Sequence, residues 1–412
     1  MSDARIDVTL ITDHFGDDGT SGGLLMQDVA CAWSVAGFGV HVITQVPQGM
    51  GCMPSAQDVG DGSLLVERRT GPADRHVSLV RRTAREMGFS VWGAWRFMGA
   101  RPKPSVLFIL SSPAVLPAFA ALAARWRHVP YVIVEMDVFP DNMVALGLLR
   151  PDSLLVSVLR SVYRRTLRGA RRVVVLGSCM EALVRQRYVG DARKERLVTV
   201  QNWADGTRIA PTPKEGSALY VRHPEVHGKF IVQFFGNLGR LQEFDTMFTA
   251  AKLLEDSGIV FVIMGTGSET LPLKKRIETM QLVNVLMWGA IPFFEQRDAH
   301  ACCDVALITL REAALGVGVP SKLYPTMAMG RPVVAVVPDL SETARTVRGG
   351  RFGYVVTPGH PQELASALMS LKNDDQLRMD MGRRSREVFE RRFDKPIGTA
   401  RYVQLVEEVV RG

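Results

Sequence analysis

The sequence predicts an α/β protein built from two doubly wound parallel-sheet domains, and three observations carry that prediction. Short apolar runs of strand length alternate with helix-period segments through both halves of the chain. At 412 residues the chain exceeds what one hydrophobic core usually organises, so two domains of roughly 200 residues are expected. Between the two series, residues 206–228 are rich in glycine, proline and serine, the composition of a linker.

Residues 6–12 (IDVTLIT) read as a first buried strand, LLMQDVACAWSVAG as the following helix, and 40–44 (VHVIT) as the second strand. Gly16, Gly19, Gly22 and Gly23 between them do not spell the dinucleotide fingerprint. Thr44 and Gln45 stand where a ribose-binding acid belongs, which argues against a nicotinamide or flavin dinucleotide. From Pro47 to Gly62 the chain reads as loop. The segment 74–100 then sets Arg75, Arg81, Arg82, Arg85 and Arg96 among large apolar groups that include Trp92 and Trp95. Such a mixture suits a helix lying in a lipid headgroup layer, or an amphipathic helix packed on its own domain. Residues 105–124 have the length of a bilayer span, but Ser111, Ser112, Pro113 and Pro117 divide them into a strand (106–110) and a helix (114–126).

The next strand, in YVIVEMDVFPDNM, runs into Glu135, Asp137 and Asp141. An open α/β sheet places its ligand chemistry at such strand exits, although acids there also serve as solvated loop residues or helix caps. A long helix after Pro151-Asp152 carries Leu154, Leu155, Val158, Leu159, Val162 and Leu167 at helical spacing, with arginines crowding its second half. RVVVL, SCMEALVRQRY and LVTVQNWAD complete the first series. In the second series, strands FIVQFFG, IVFVIMG, VNVLMWG, DVALITL and VVAVV alternate with helices, and glycines mark three strand exits: 236–239, 265–267 and 316–318. The stretch GVGVPSKLYPTMAMGRP (316–332) leads from a glycine loop into a short helix from Ser321. Lys322 in that first turn is opposed by the helix dipole unless an anion compensates, which points to a phosphorylated ligand; an ordinary loop is the alternative.

Net charge is +8, yet residues 62–187 hold 20 Lys/Arg against 8 Asp/Glu, a local excess of 12, so the remainder is net acidic. A concentrated basic face favours a polyanion or an anionic membrane surface, and no nucleic-acid motif accompanies it. The chain enters its first strand without a charged-then-apolar leader, so no export signal is expected. Cys31, Cys52, Cys179, Cys302 and Cys303 lack metal-ligand spacing and read as reduced thiols of a cytoplasmic protein.

These residues carry a family resemblance. TSGG after the first strand, SSPAVLPAFAALAARWRHVPYVIVEMDVFPD, NWAD, FFGNLGRLQEFDTMFTAAKLL, MGTGSE and VPSKLYPTMAMGRPVVAVV, in that order, resemble glycosyltransferase family four, in its bacterial polysaccharide (colanic-acid-type) branch. The resemblance implies the GT-B fold, two Rossmann-like domains facing a cleft. It implies an acceptor-binding domain over 1–210, joined by a returning C-terminal helix (393–412), and a donor-binding domain over 211–392. It implies transfer of a hexosyl or N-acetylhexosaminyl group from a UDP-, GDP- or dTDP-sugar, with retained configuration and no metal or other cofactor, to a glycan or lipid-linked acceptor at the inner face of the cell membrane.

Carried over residue by residue, Asp137 takes the catalytic or positioning role. Gly22, Gly23, Asn202, Gly236, Asn237, Gly239, Arg240, Gly265, Gly267, Ser321, Lys322 and Leu323 become the donor site, and Arg81, Arg82, Arg85, Trp92 and Trp95 the membrane or acceptor face. Two departures stand out. Asn237 and Gln242 replace the usual arginine and lysine for the diphosphate, and Val317 and Pro325 replace a glutamate pair whose later member grips the ribose. The second departure leaves room for a degenerate, non-catalytic protein that binds a partner enzyme or the membrane.

Overall fold

A computed structural model describes residues 6–16, 20–47, 56–59, 62–71 and 79–411, in two compact units. The first comprises Met1–Gln201, Gly316–Gly318 and Pro396–Gly412; the second comprises Asn202–Leu315 and Val319–Lys395.

The first unit contains β1 (Val8–Ile11), α1 (Ser21–Val35), β2 (Gly39–Pro47), β3 (Ala56–Val59), β4 (Gly62–Gly71), α2 (Leu79–Gly99), β5 (Val106–Leu110), α3 (Leu116–Trp126) and β6 (Tyr131–Val134). There follow α4 (Asp141–Ala145), α5 (Leu154–Gly169), β7 (Arg172–Val175), α6 (Ser178–Val184) and β8 (Leu197–Thr199). Its sheet runs β3-β4-β2-β1-β5-β6-β7-β8, parallel except for the β3–β4 pair. Central strands such as VLFIL are buried on both faces, which is why they read as unbroken apolar runs. The sequence reading of 47–62 as loop is corrected in part: 56–59 form β3, and β4 pairs with β2 over nine residues. In β4, Leu64 and Val66 point inward, a two-residue period hidden between glycines.

The second unit contains α7 (Ala218–Arg222), β9 (Phe230–Phe235), α8 (Asp245–Leu253), β10 (Ile259–Met264), α9 (Thr270–Thr279), β11 (Val285–Gly289) and α10 (Gln296–Ala301). After these come β12 (Val305–Thr309), α11 (Leu323–Ala328), β13 (Val333–Val336), α12 (Glu342–Gly350), β14 (Gly353–Val356), α13 (Pro361–Asn373) and α14 (Asp375–Arg392). Its six-stranded parallel sheet has the order β11-β10-β9-β12-β13-β14. The expected linker 206–228 instead carries ordered turns and α7, capped by Ser217, whose hydroxyl accepts from Tyr220 N–H. Helix α15 (Lys395–Arg411) follows, and from Pro396 it is part of the first unit. There the Trp33 indole of α1 donates to the Tyr402 carbonyl at 3.0 Å.

Both sheets reverse direction at their first strand: between β1 and β5 in one, between β9 and β12 in the other. Right-handed crossovers then send helices to opposite faces on either side of that point. The carboxyl ends of the two strands are left open there, the position at which doubly wound sheets bind ligands.

Candidate active site

At the reversal of the first sheet, Ser112 Oγ after β5 donates to Asp13 Oδ2 after β1, 3.1 Å away. Burial raises the Asp13 pKa against the opposing pull of His14. Asp13 was not singled out in the sequence, although an acid directly after a buried first strand is the signal that finds it. Thr20 caps α1, its hydroxyl accepting the Gly23 N–H at 3.1 Å. Gly23 is buried and its amide is occupied. Gly22 is more accessible and lies beside the Met136 side chain after β6.

The three acids after β6 separate into different roles. Asp141 is buried and accepts from Arg160 at 2.7 Å and, by shorter contacts, from Arg187 and the Tyr188 hydroxyl; it is a structural knot. Glu135 is fully buried, accepts from the Tyr163 hydroxyl, and is pushed by burial to a pKa of about 8, so it is neutral at pH 7. Asp137 remains. Its residue is solvent-accessible, while the protein crowded around its carboxyl removes water and pushes its pKa up to about 6. Ser111 Oγ fixes the backbone there, accepting from Met136 N at 2.9 Å and donating to the Asp137 carbonyl at 3.3 Å. The segment Gly316–Gly318 of the same unit bridges to Asp137, with Val138 N–H donating to Val317 O at 2.9 Å. A Cβ on Gly318 would fall 2.7 Å from Asp137 Oδ1, so glycine there makes room for the carboxylate.

In the second unit, Gly236 (φ +137°) and Gly265 (φ +132°) let the exits of β9 and β10 touch. A Cβ on Gly265 would lie 1.9 Å from Gly236 O, and one on Gly267 would lie 2.4 Å from Leu238 O. Their amides are already used: Gly236 N donates to Met264 O, Gly265 N to Gly289 O and Gly267 N to Thr270 Oγ1. These glycines pack the two loops. Among the described residues, the amides of Asn237, Gly239 and Arg240 have no acceptor, and they are the donors this loop keeps available. Arg240, more than half exposed, sits 3.5 Å from Glu269.

Lys322 lies at the same end. Its ammonium donates to Gln242 Oε1 at 3.2 Å, sits 3.8 Å from the centroid of the Phe234 ring, and flanks Gly236. No carboxylate pairs with it among the described residues, and burial pushes its pKa down to about 7. Gln242, which stands at the usual lysine position, therefore holds a lysine that reaches in from another loop. The helix expected from Ser321 starts at Leu323 and has six residues, because Lys322 is its cap; Leu323 puts its side chain in the core. Pro325 falls in the first turn, where a missing N–H breaks no helical bond. Behind Lys322, a space about one water in size is lined by Gln233, Thr326 and the buried His300, which burial holds neutral with a pKa of about 4. Asn202, also buried, opens the second unit.

Of the basic face, Arg81 and Trp95 are exposed. Trp92 is partly buried against Phe89 with the Arg69 guanidinium 5.8 Å over its ring. Arg85 is less exposed than Arg81, and the Arg82 side chain, Arg75 and Cys52 lie outside the described residues. Cys302 and Cys303 are buried free thiols.

Two such units, each with its polar groups at the reversal point of a parallel sheet, are Rossmann-type ligand-binding domains. Comparison with known proteins narrows this: residues 23–203 match the glycosyl transferase 4-like domain and 229–374 match glycosyl transferases group 1. The chain belongs to the GT-B glycosyltransferases of family-four type. It is 36% identical over 245 residues to the probable glycosyltransferase WbjE of Pseudomonas aeruginosa, covering 60% of this chain and 59% of that protein. It is 23% identical over 231 residues to the putative colanic acid biosynthesis glycosyl transferase WcaI of Escherichia coli K12, covering 54% of each. The chain thus spans a little over half the length of these curated relatives. The crystal structure of Anabaena Alr3699/HepE in complex with UDP superposes with a TM-score of 0.71 at 15% identity, over 98% of this chain and 100% of that one.

Proposed function

We propose that this chain is a retaining, metal-independent glycosyltransferase that takes a sugar from a nucleotide-sugar donor. The observation that carries the proposal is Lys322, which among the described residues has no acid partner, at the same end of the second sheet as the amides of Asn237, Gly239 and Arg240, which have no acceptor among those residues. A departing nucleoside diphosphate gathers negative charge that preorganised donors stabilise, and cation plus amides supply that stabilisation. In the first unit, Asp137 positions the sugar or acceptor hydroxyl, or assists its deprotonation; a pKa near 6 keeps it ionised yet basic at neutral pH. The UDP complex of HepE supports UDP as the first nucleotide to try.

The acceptor we propose is a glycan or a lipid-linked glycan of a cell-surface polysaccharide pathway, reached by peripheral contact with an anionic membrane through α2. Trp95 there is 64% exposed, with Arg96 over its ring at 5.6 Å. No helix among the described residues is long and apolar enough to cross a membrane. As part of this proposal we put the protein on the cytoplasmic face, peripheral to the membrane.

Pro325 favours a second reading, a degenerate GT-B protein kept for binding a partner, because its side chain cannot accept a hydrogen bond from a ribose hydroxyl. Calorimetry with UDP, GDP and dTDP, followed by donor hydrolysis on the corresponding sugars, separates the two. Binding with turnover supports the transferase; no affinity for any of the three supports the degenerate protein.

A further inference from the structure

We infer that α2, α3 and α5 together form one membrane-docking platform for anionic lipid, of which the tryptophan-bearing α2 is only an edge. This rests on the peripheral-membrane reading above and extends it from α2 to two neighbouring helices. Helices α2 and α3 pack side by side, as do α3 and α5. The crossovers β5-α3-β6 and β6-α5-β7 advance in the direction opposite to β1-α1-β2, so right-handedness puts them on the sheet face away from α1. The α1 face is covered by α15 through Trp33 and Tyr402.

Each of the three helices buries one apolar face, with Phe89 and Phe97 of α2, Ala120 and Ala124 of α3, and Val156 of α5 fully enclosed. Each also turns apolar groups outward. On α5, Leu154 is 80% exposed, and Val158 and Val162 follow it one and two turns along, each about half exposed. Of the apolar positions that recur along α5 at helical spacing, Leu167 enters the core, with Val156 and Tyr163, while this row faces outward. On α3, Trp126 is 74% exposed and Leu122 lies one turn before it. Exposed apolar residues scattered singly need no explanation, but sets on three adjacent helices do.

Charge selects the occupant. The three helices carry nine arginines, four in α2, one in α3 and four in α5, against the single acid Glu86. A second copy of this face would meet it with the same positive charge. An anionic bilayer meets it with phosphates at the depth of the indoles, where arginines extend along their stems to reach them. An open groove of about 700 Å³ beside α2, lined by Arg69, Met87, Val91, Trp92 and Trp95, offers room for part of an acyl chain.

Co-sedimentation of the full chain with phosphatidylcholine vesicles, with and without phosphatidylglycerol, tests the platform. Wild type is expected to sediment only with the anionic vesicles. Leu154→Glu with Val158→Glu alters exposed positions alone and is expected to weaken binding by at least about 25-fold, from about fivefold for each charge of the wrong sign. The milder pair Arg125→Gln with Arg165→Gln is expected to lose a similar factor, and circular dichroism melting checks that both pairs fold. If wild type binds no vesicles, the peripheral-membrane reading fails and takes the platform with it. If wild type binds and both pairs bind equally well, contact runs through α2 alone and only the platform is overturned. A wild-type dimer in analytical ultracentrifugation that the Leu154/Val158 pair makes monomeric would assign the surface to a second copy and likewise overturn it.

Discussion

Replacing Lys322 with methionine is expected to stabilise the ligand-free protein while weakening its grip on a diphosphate. Holding a lysine at a pKa of about 7 rather than 10.5 corresponds to a ceiling of about 5 kcal/mol against the charged form in the folded state. The Gln242 hydrogen bond and the Phe234 ring offset about 2 kcal/mol of this when the charge is present. Methionine keeps the volume without the charge, so a net gain of about 2–3 kcal/mol is expected at neutral pH. The folded-state pKa is depressed, so between pH 7 and 10.5 the unfolded chain binds more protons and wild-type stability rises with pH. The advantage of the variant is therefore full below pH 7 and vanishes towards pH 10.5.

The ligand should close much of that gap. A nucleoside diphosphate at 100 times its dissociation constant stabilises wild type by about 2.7 kcal/mol. Losing a charge-assisted contact of about 1.5–3 kcal/mol removes most of that from Lys322→Met. Thermal melts at pH 6, 7.5 and 9, with and without UDP, read both effects. A variant that melts below wild type without ligand, and is stabilised by UDP as much as wild type, would refute the placement of Lys322 as an anion partner.

The remaining predictions concern the first unit. Glu135→Gln should fold, and because burial raises the Glu135 pKa from 4.5 to about 8, wild type loses stability relative to this variant as pH rises through that window; denaturant midpoints at pH 5 and 8 check the sign. Gly318→Ala should lower turnover with little change in melting temperature, since its methyl displaces only the Asp137 carboxyl; equal kcat in the variant would detach Asp137 from the chemistry. Asp137→Asn should cost about 10²–10⁴ in kcat, and the wild-type rate should fall tenfold per pH unit below about 6 as Asp137 protonates. Asp141→Asn should destabilise by about 2–3 kcal/mol, less than for a fully buried pair because Arg160 and Arg187 reach solvent, and urea unfolding measures it.

How much of this was legible in the sequence follows from which interactions are local. Both central sheets were readable because strands buried on two faces are unbroken apolar runs, and Val106–Leu110 and Ile259–Met264 are wholly buried. Strand β4 was obscured because a half-buried strand shows only an alternation, bounded here by glycines. The outward row on α5 was not identifiable for a related reason: apolar residues at helical spacing mark a face without saying whether protein covers it. At the site, the strand-exit acids could be located but not sorted. Asp141 is claimed by Arg160, Arg187 and Tyr188, residues 19, 46 and 47 positions away, and Glu135 by Tyr163, 28 positions away.

Lys322 shows the same limit from the other side. Its place beside a helix start suggested an anion through the dipole, yet the helix has six residues and the lysine precedes it. What makes the lysine a candidate is tertiary: Phe234 under the ammonium, Gly236 leaving it space, and Gln242 offering an amide oxygen where the family usually has a second cation. A neutral partner at residue 242 leaves the charge of Lys322 uncompensated, whereas a lysine there would repel it and a glutamate would neutralise it before any ligand arrived. The departure at residue 242 and the cation at 322 are thus one arrangement. Gln242→Glu is the change that tests it: a carboxylate at 242 should raise the Lys322 pKa, stabilise the ligand-free protein and weaken nucleotide binding together. Tighter nucleotide binding in that variant would show that the two positions act independently.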